Sequence, residues 1–555
     1  MNKKVCSFPI LFALLALLIG TCAVVFPASA QAAPTSTGSI TVSGTVARSY
    51  DAYQIFDANV IDDDNDAKIA TDLAWASGAA RDAVLPVLHS AGMSNSQTTA
   101  QEAAEWLNTD SHLTSALSAQ LARSLQSSGA EPVALNAGTA AELPCGYWLI
   151  VAKDDAISQN EAGTAPVMAL VGGSAVTVKP KAATPKVAKH VLEDSTAAWQ
   201  KAADATVADD LYWRLSATVP AGLAAYDTYA VRFVDTMSAG LDPSKVAASM
   251  RVYVAAGADG GFDAVSADKD GSAGTEPAKG WTDITAQCAT KVAADGTFTV
   301  RTGDLIAALG GADAFIAGAR VVAVYNAPLN SACNHGIAKG NPNEVYLRYP
   351  RSPFADQSGD AGFTRTPSDD ACAYTWDLAL TKRGSDGDKP LAGAVLSIAD
   401  DRGRTLSADG TWDAEGKATV TTGEDGRVTV SGVDSGKLEV RELKAPKGYT
   451  AFEGTRSVTV KAEGLDVDQV AAAKPKLTIT AESPLRADSA DGSTGSLEAS
   501  LINTPTGTPP SITTGGFMPS TGDMAMYVAA AAAVAGAALI VVALLVKRGG
   551  GSHKE

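Results

Sequence analysis

The sequence is poor in histidine, cysteine and aromatic residues, and each shortage removes a class of function. Five histidines and six cysteines are spread over 555 residues. With no Cys-x-x-Cys pair and no histidine cluster, no metal site is expected. No Ser/His/Asp or Cys/His frame for nucleophilic catalysis emerges either, so neither an enzyme nor a cofactor is expected. Basic residues never form a run interleaved with aromatics, and the formal charge is −17. A nucleic-acid partner needs a cationic footprint that displaces counterions from phosphates, so that class is excluded. The acidic stretch Asp62 to Asp66 lacks the glycine turn and distal glutamate of a twelve-residue calcium loop and reads as a solvated loop.

The two ends are rich in targeting signals. Residues 1–33 read as a cleaved signal peptide: Lys3 and Lys4 are basic, Ile10 to Val25 is apolar, and Ala28-Ser-Ala30 is a small-residue cleavage site. Cys6 and Cys22 leave with it. Export permits disulfides among Cys145, Cys288, Cys333 and Cys372, and Cys288–Cys333 is preferred because both fall in one expected domain. At the other end, 524–546 is an uncharged run of 23 residues, roughly 34 Å as a helix and long enough to span a bilayer. The tail 547–555 begins with Lys547 and Arg548, which hold that end in the cytoplasm.

Between the ends, period-2 alternation and frequent turn signals predict a mainly β chain of tandem β-sandwiches. Residues 34–180 form a first β unit with one or two helices inserted over Thr98 to Ser127, where Ala, Leu, Glu and Gln fall at helical spacing. Residues 181–372 form a second unit, with strand patterns at 211–219, 228–234, 319–325 and 344–349. A third spans 373–505 and is punctuated by Asp/Gly pairs at 386–387, 409–410 and 425–426. The stretch 506–523, rich in Thr, Pro and Gly, reads as a linker.

That linker ends in Met518, Pro519, Ser520, Thr521 and Gly522, just before the apolar span. Together they resemble the Leu-Pro-x-Thr-Gly cell-wall sorting signal of Gram-positive surface proteins, with Met518 in place of leucine. The resemblance implies that a sortase attacks Thr521, releases the chain from Gly522 onward, and passes Thr521 to an amine.

With the ends so placed, the mature chain resembles the backbone subunits of sortase-assembled pili. Leu143-Pro-Cys-Gly-Tyr-Trp-Leu149 and Val176-Thr-Val-Lys-Pro-Lys181 look like segments of the family's N-terminal domain. The family's acceptor lysine then maps to Lys181, with Lys179 as the competitor. Residues 185–350 resemble a fimbrial isopeptide-forming domain through Pro185-Lys-Val-Ala-Lys-His-Val191, Phe233-Val-Asp-Thr-Met-Ser238 and Gly340-Asn-Pro-Asn343. The family roles fall on Lys189 as nucleophile, Asp235 as assisting acid and Asn343 as acceptor. Asn341 lies on the same strand face, so the acceptor stays open between the two. Residues 376–504 resemble a Cna-B-type domain. Lys382 lies in its first strand, Glu442 in the segment Leu438 to Tyr449, and Asn503 in its last strand. Between residues 34 and 178 the only lysines are Lys68 and Lys153, neither in the opening strand, where Arg48 is the nearest base, so no cross-link is expected there.

The resemblance implies a fimbrial shaft subunit that supports adhesion and is finally joined to peptidoglycan at the cell wall. Its partners would be a pilin-polymerising or housekeeping sortase, further copies of itself, and host surface ligands. The alternative is a singly wall-anchored adhesin, or a tip or basal pilin, that binds a host ligand.

Overall fold

The computed structural model describes residues 37–507, except 45–47, 64–66, 110, 154–159, 181–183, 267–273 and 275. The signal peptide, Lys181, the sorting motif Met518 to Gly522 and the apolar run 524–546 lie outside the described residues. Among the described residues, no helix is long and apolar enough to cross a membrane.

The chain is mainly β and forms three successive two-sheet units, the first carrying the helices. That unit has a sheet ordered Ala140–Pro144, Thr37–Val42, Val176–Val178. Its second sheet centres on Ser49–Asp62, flanked by Lys68–Trp75 and Gly146–Ala152. The expected insertion holds Ala100–Asn108 and Ser115–Ser127, and a further helix, Gly78–Ser90, precedes them. Sequence reading missed this third helix because Pro86 sits inside it. Ser77 supplies the start signal, since its side chain accepts the Ala80 N–H. Thr99 and Glu102 form a reciprocal capping box on the next helix. The helices bury Val84, Leu88, Leu121 and Leu125 against Ile55 and Leu149 of the larger sheet.

In the second unit a six-stranded sheet contains the neighbouring strands Lys186–Glu193, Tyr212–Val219 and Ala319–Asn326. It faces a seven-stranded sheet containing Asp369–Tyr374, Asn341–Pro350 and Arg232–Met237. Trp213, Leu215, Phe233, Val300 and Leu347, all fully buried, fill the space between them. The pattern expected as one strand over 228–234 divides. Tyr229 is buried in the approach, and the strand begins only at Arg232. Ala373 and Tyr374 still pair with Ala203 and Asp204, so sheet pairing of the second unit reaches two residues past 372.

In the third unit the first and last strands, Trp376–Gly384 and Ser496–Pro505, are parallel neighbours. A second sheet, including Val395–Ala399, Gly436–Lys444 and Thr455–Glu463, covers them. Val430, Leu396, Val458 and Leu497 form the core between the sheets. The Asp/Gly pairs are turns: Gly387, Gly410 and Gly426 take φ of 117°, 86° and 73°, a region open to glycine at little cost. At Gly426 space matters too, because an added Cβ would meet the Lys382 carbonyl oxygen at 2.8 Å.

The expected Cys288–Cys333 disulfide does not form, and neither sulfur is bonded to another cysteine. Cys288 precedes Ala289, which pairs with Arg301, which in turn pairs with Arg232 at the start of a strand. Cys333 packs on Gly240, beyond that strand's far end at Met237. Five residues of strand separate the two levels by roughly 17 Å, and a disulfide cannot join Cα atoms more than about 7 Å apart.

Candidate functional site

The structure brings the expected site residues into two enclosed clusters, one in the second unit and one in the third. In the second, strand alternation aims the reactive types inward. Along Arg232–Met237 the buried residues are Phe233, Asp235 and Met237, and along Asn341–Pro350 they are Asn341, Asn343, Val345, Leu347 and Tyr349, with Pro350 buried at the end. Met237 is opposite Asn343 and Asp235 opposite Val345, which sets the two polar side chains on adjacent strands of one sheet. Lys189 comes from the facing sheet, opposite Leu215. All three are fully buried.

Lys189 Nζ donates to Asp235 Oδ2, and also to the hydroxyl of Tyr325 at 2.9 Å. The Tyr325 hydroxyl donates to Asp235 Oδ2 at 3.2 Å and accepts from Asn343 Nδ2 at 2.8 Å. Trp213 and Tyr325 rings flank the amine at 5.5 and 5.4 Å from their centroids. Asp235 Oδ1 and Asn343 Oδ1 are buried without a hydrogen-bond partner. Burial lowers the Lys189 amine to about 8 against the opposing pull of the Asp235 carboxylate, and burial raises the Asp235 carboxyl. A pKa near 8 leaves roughly one-tenth of the amine neutral at pH 7, several hundredfold more than an ordinary lysine.

Asn341, the competing acceptor, is occupied elsewhere. Its amide nitrogen donates to the carbonyls of Asn334 and Ala373 at 2.9 and 3.2 Å, and its oxygen accepts the Asn334 N–H at 2.8 Å. That side chain ties the 333–340 loop to the sheet end, whereas Asn343 reaches the Tyr325 hydroxyl that also meets the lysine.

The third-unit cluster is more direct. Lys382 Nζ donates to Asn503 Oδ1 and lies 3.2 Å from Glu442 Oε1. Asn503 Nδ2 donates to both Glu442 oxygens, at 2.9 and 3.1 Å. Lys382 is fully buried, and Asn503 and Glu442 are nearly so. Burial brings the Lys382 amine down to about 8 against the raising effect of Glu442. Both clusters therefore hold a desolvated amine and an amide carbonyl beside a carboxyl group. That arrangement suits attack of the amine on the amide carbon with loss of ammonia.

The remaining expected residues stand apart from the clusters. Lys179 is exposed at the end of the first unit. Lys68 pairs with Asp62 at 3.2 Å and donates to the Ser174 carbonyl, Lys153 pairs with Asp51 at 3.1 Å, and Arg48 pairs with Glu161 at 3.2 Å. Tyr325 is the site residue that sequence reading missed. Its strand was legible, but nothing in Ala319 to Tyr325 marks the hydroxyl as anything other than a core tyrosine tip.

Residues 377–474 match the family described as SpaA, prealbumin-like fold domain. Over 143 residues, 24% of this chain, the sequence is 30% identical to the trypsin-resistant surface T6 protein of Streptococcus pyogenes serotype M6. The match spans about a quarter of that relative's length. Among solved structures, the chain is similar to the T6 backbone pilin of serotype M6 S. pyogenes, with a TM-score of 0.44 and 17% identity. That similarity covers 85% of this chain and 98% of the pilin. The full-length major pilin SpaD from Corynebacterium diphtheriae gives a TM-score of 0.40 and 15% identity, covering 84% and 98%.

Proposed function

We propose that this chain is the repeating shaft subunit of a covalently polymerised pilus on the cell surface. The observation that carries the reading is the Lys382–Glu442–Asn503 cluster. A lysine and an asparagine from the first and last strands meet at a carboxyl group in a dry interior, with Lys382 and Glu442 inside the segment that matches the prealbumin-like domain and Asn503 beyond its end. Such burial of an amine serves no ordinary stabilising purpose. Desolvating a buried lysine–carboxylate pair can cost more than its mutual attraction returns, while conversion to an amide removes the lysine charge altogether. The similarity to a streptococcal surface protein supports the same setting.

In this reading two internal amides form without an enzyme, Lys189 to Asn343 and Lys382 to Asn503, each expelling one ammonia. Each closes a long loop, 121 residues in the third unit, which stabilises a domain by about 5 kcal/mol in the chain-entropy model. The larger effect is mechanical, since strands joined by a covalent bond cannot be drawn apart. Sortase then cleaves after Thr521 and joins it to Lys181 of the next copy, with Lys179 as the second candidate. Peptidoglycan is the final acceptor at the wall. The chain is a substrate and a structural element rather than an enzyme, because each self-cross-link turns over once.

The test is the high-mass ladder of wall extracts on denaturing gels. Lys181→Arg is expected to collapse the ladder to a single wall-linked species, with Lys179→Arg leaving it intact. A ladder that survives both changes, alone and combined, would remove the shaft assignment and leave a singly anchored adhesin.

A further inference from the structure

The two clusters differ in how the carboxyl group reaches the amide. In the third unit Glu442 binds Asn503 Nδ2 directly. In the second the acid is an aspartate, one methylene shorter, and only its Oδ2 has partners: Lys189 Nζ and the Tyr325 hydroxyl. Nothing joins Asp235 to Asn343 except that hydroxyl. It touches all three reacting groups, at 2.9 Å from the amine, 3.2 Å from the carboxyl oxygen and 2.8 Å from the amide nitrogen. Tyr325 stands on the strand Ala319–Asn326, and its ring is fixed edge-on against Phe298 with centroids 4.8 Å apart. The hydroxyl is therefore held in place by packing that does not depend on the polar groups.

We infer that Tyr325 is a catalytic residue of the Lys189–Asn343 cross-link, the proton relay that Glu442 makes unnecessary in the third unit. This rests on the cross-linking function proposed above. When Lys189 Nζ adds to Asn343 Cγ, the nitrogen becomes cationic and must lose a proton, while Nδ2 becomes an amine that must gain one to depart. Before reaction, Nδ2 donates to the tyrosine oxygen. Once the carbon is tetrahedral, Nδ2 has a lone pair facing the same hydroxyl, and the direction of that hydrogen bond reverses. Tyr325 then accepts the Nζ proton and passes its own to Nδ2. The hydroxyl proton, donated to Asp235 Oδ2 before reaction, turns to Nδ2 for the exchange, and the proton taken from Nζ restores the bond to Oδ2 afterwards. The C–Nδ2 bond breaks and ammonia leaves, the Nζ–Cγ amide remains, and Tyr325 ends as it began.

Tyr325→Phe keeps the ring and removes only the relay. The ectodomain, made by pulsed cell-free synthesis, is followed by intact mass and peptide mapping, with the Lys382–Asn503 bond as internal control. Tyr325→Phe is expected to slow the Lys189–Asn343 bond about 100-fold or more and to leave the control unchanged. Adding Asn343→Asp is expected to restore much of the rate, because hydroxide is a far better leaving group than amide ion and its departure depends less on a positioned proton donor. A wild-type rate in Tyr325→Phe, or no rescue by Asn343→Asp, overturns the relay. Should Tyr325→Phe fail to fold, 3-fluorotyrosine at 325 keeps both shape and hydroxyl, and an unchanged rate there counts against the relay. Absence of any Lys189–Asn343 peptide in the wild-type chain overturns the cross-link itself, whatever Tyr325 does.

Discussion

Lys382 Nζ meets Asn503 Oδ1 between two parallel neighbouring strands, the first and last of the third unit, from positions 121 residues apart in sequence. Lys189 and Asn343 instead face each other across the gap between two sheets. One bond would therefore staple the chain ends within a sheet, and the other would staple sheet to sheet.

The two asparagines at the end of Asn341–Pro350 are expected to separate cleanly by mass. Asn343→Ala should fall short of its own sequence mass by one ammonia, where the wild type falls short by two. Asn341→Ala should keep both cross-links but release the 333–340 loop, at a cost of about 1–3 kcal/mol from the lost hydrogen bonds. Intact mass and thermal unfolding of the two variants check this.

Glu442→Gln keeps the size of the side chain and its contact with Asn503 but cannot ionise or act as an acid. The third unit should then retain its ammonia for far longer. Its melting temperature should fall by about 20 °C, given about 5 kcal/mol from the lost loop closure and about 4 °C per kcal/mol for a domain of this size. Calorimetry on protein purified promptly and after long incubation distinguishes slow from absent bond formation.

Stability of the joint between the second and third units should depend on pH. Asp204 Oδ2 accepts from Trp376 Nε1 at 2.6 Å and from Ser435 N at 2.9 Å, across the joint. Glu193, Asp194 and Asp434 crowd around it. Burial, then Asp204, raises Glu193 to about 8, burial raises Asp194, and burial followed by Asp204 raises Asp434 well above the usual carboxylate range. The facing charges are Arg402, which reaches Asp194 at 3.7 Å, Asp401, and Arg404 with Asp209 and Asp400. A raised carboxyl pKa means the folded state holds the extra proton. Stability is thus fully present below about 4.5 and is lost as pH rises through about 8. The melting temperature should fall between pH 5 and pH 9, and Glu193→Gln with Asp434→Asn should flatten the curve.

Under tension, the path through both proposed bonds runs along the backbone from Asn343 to Lys382. It crosses the antiparallel pair in which Asn343 faces Ala371. Pulling at that open end peels hydrogen bonds one at a time. Single-molecule stretching should show one extension step of at most about 13 nm from this segment, at about 3.3 Å per residue. Lys382→Ala should add a second step of roughly 40 nm, the length of the freed 121-residue loop.

Much of this was legible in local pattern. Alternation along Asn341–Pro350 and Arg232–Met237 marked which residues face inward, and the frames around Lys382, Glu442 and Asn503 placed three distant residues at one site. The helix Gly78–Ser90 was obscured because Pro86 breaks the pattern that propensity reads. The Cys288–Cys333 pairing failed because membership of one domain says nothing about which end of a sheet a residue occupies.

The sequence by itself determined the strand faces and the turns that glycine requires, set by neighbours within a few residues, while the lysines and their acids were named by the resemblance to pilins. Only the tertiary structure distinguishes Asn341 from Asn343, because both point inward and the 333–340 loop holds the side chain of one of them. It alone brought Tyr325 to the amine, since a tyrosine's reach across a sandwich depends on sheet spacing and register. Those quantities come from packing of the whole unit, and no local stretch of residues encodes them.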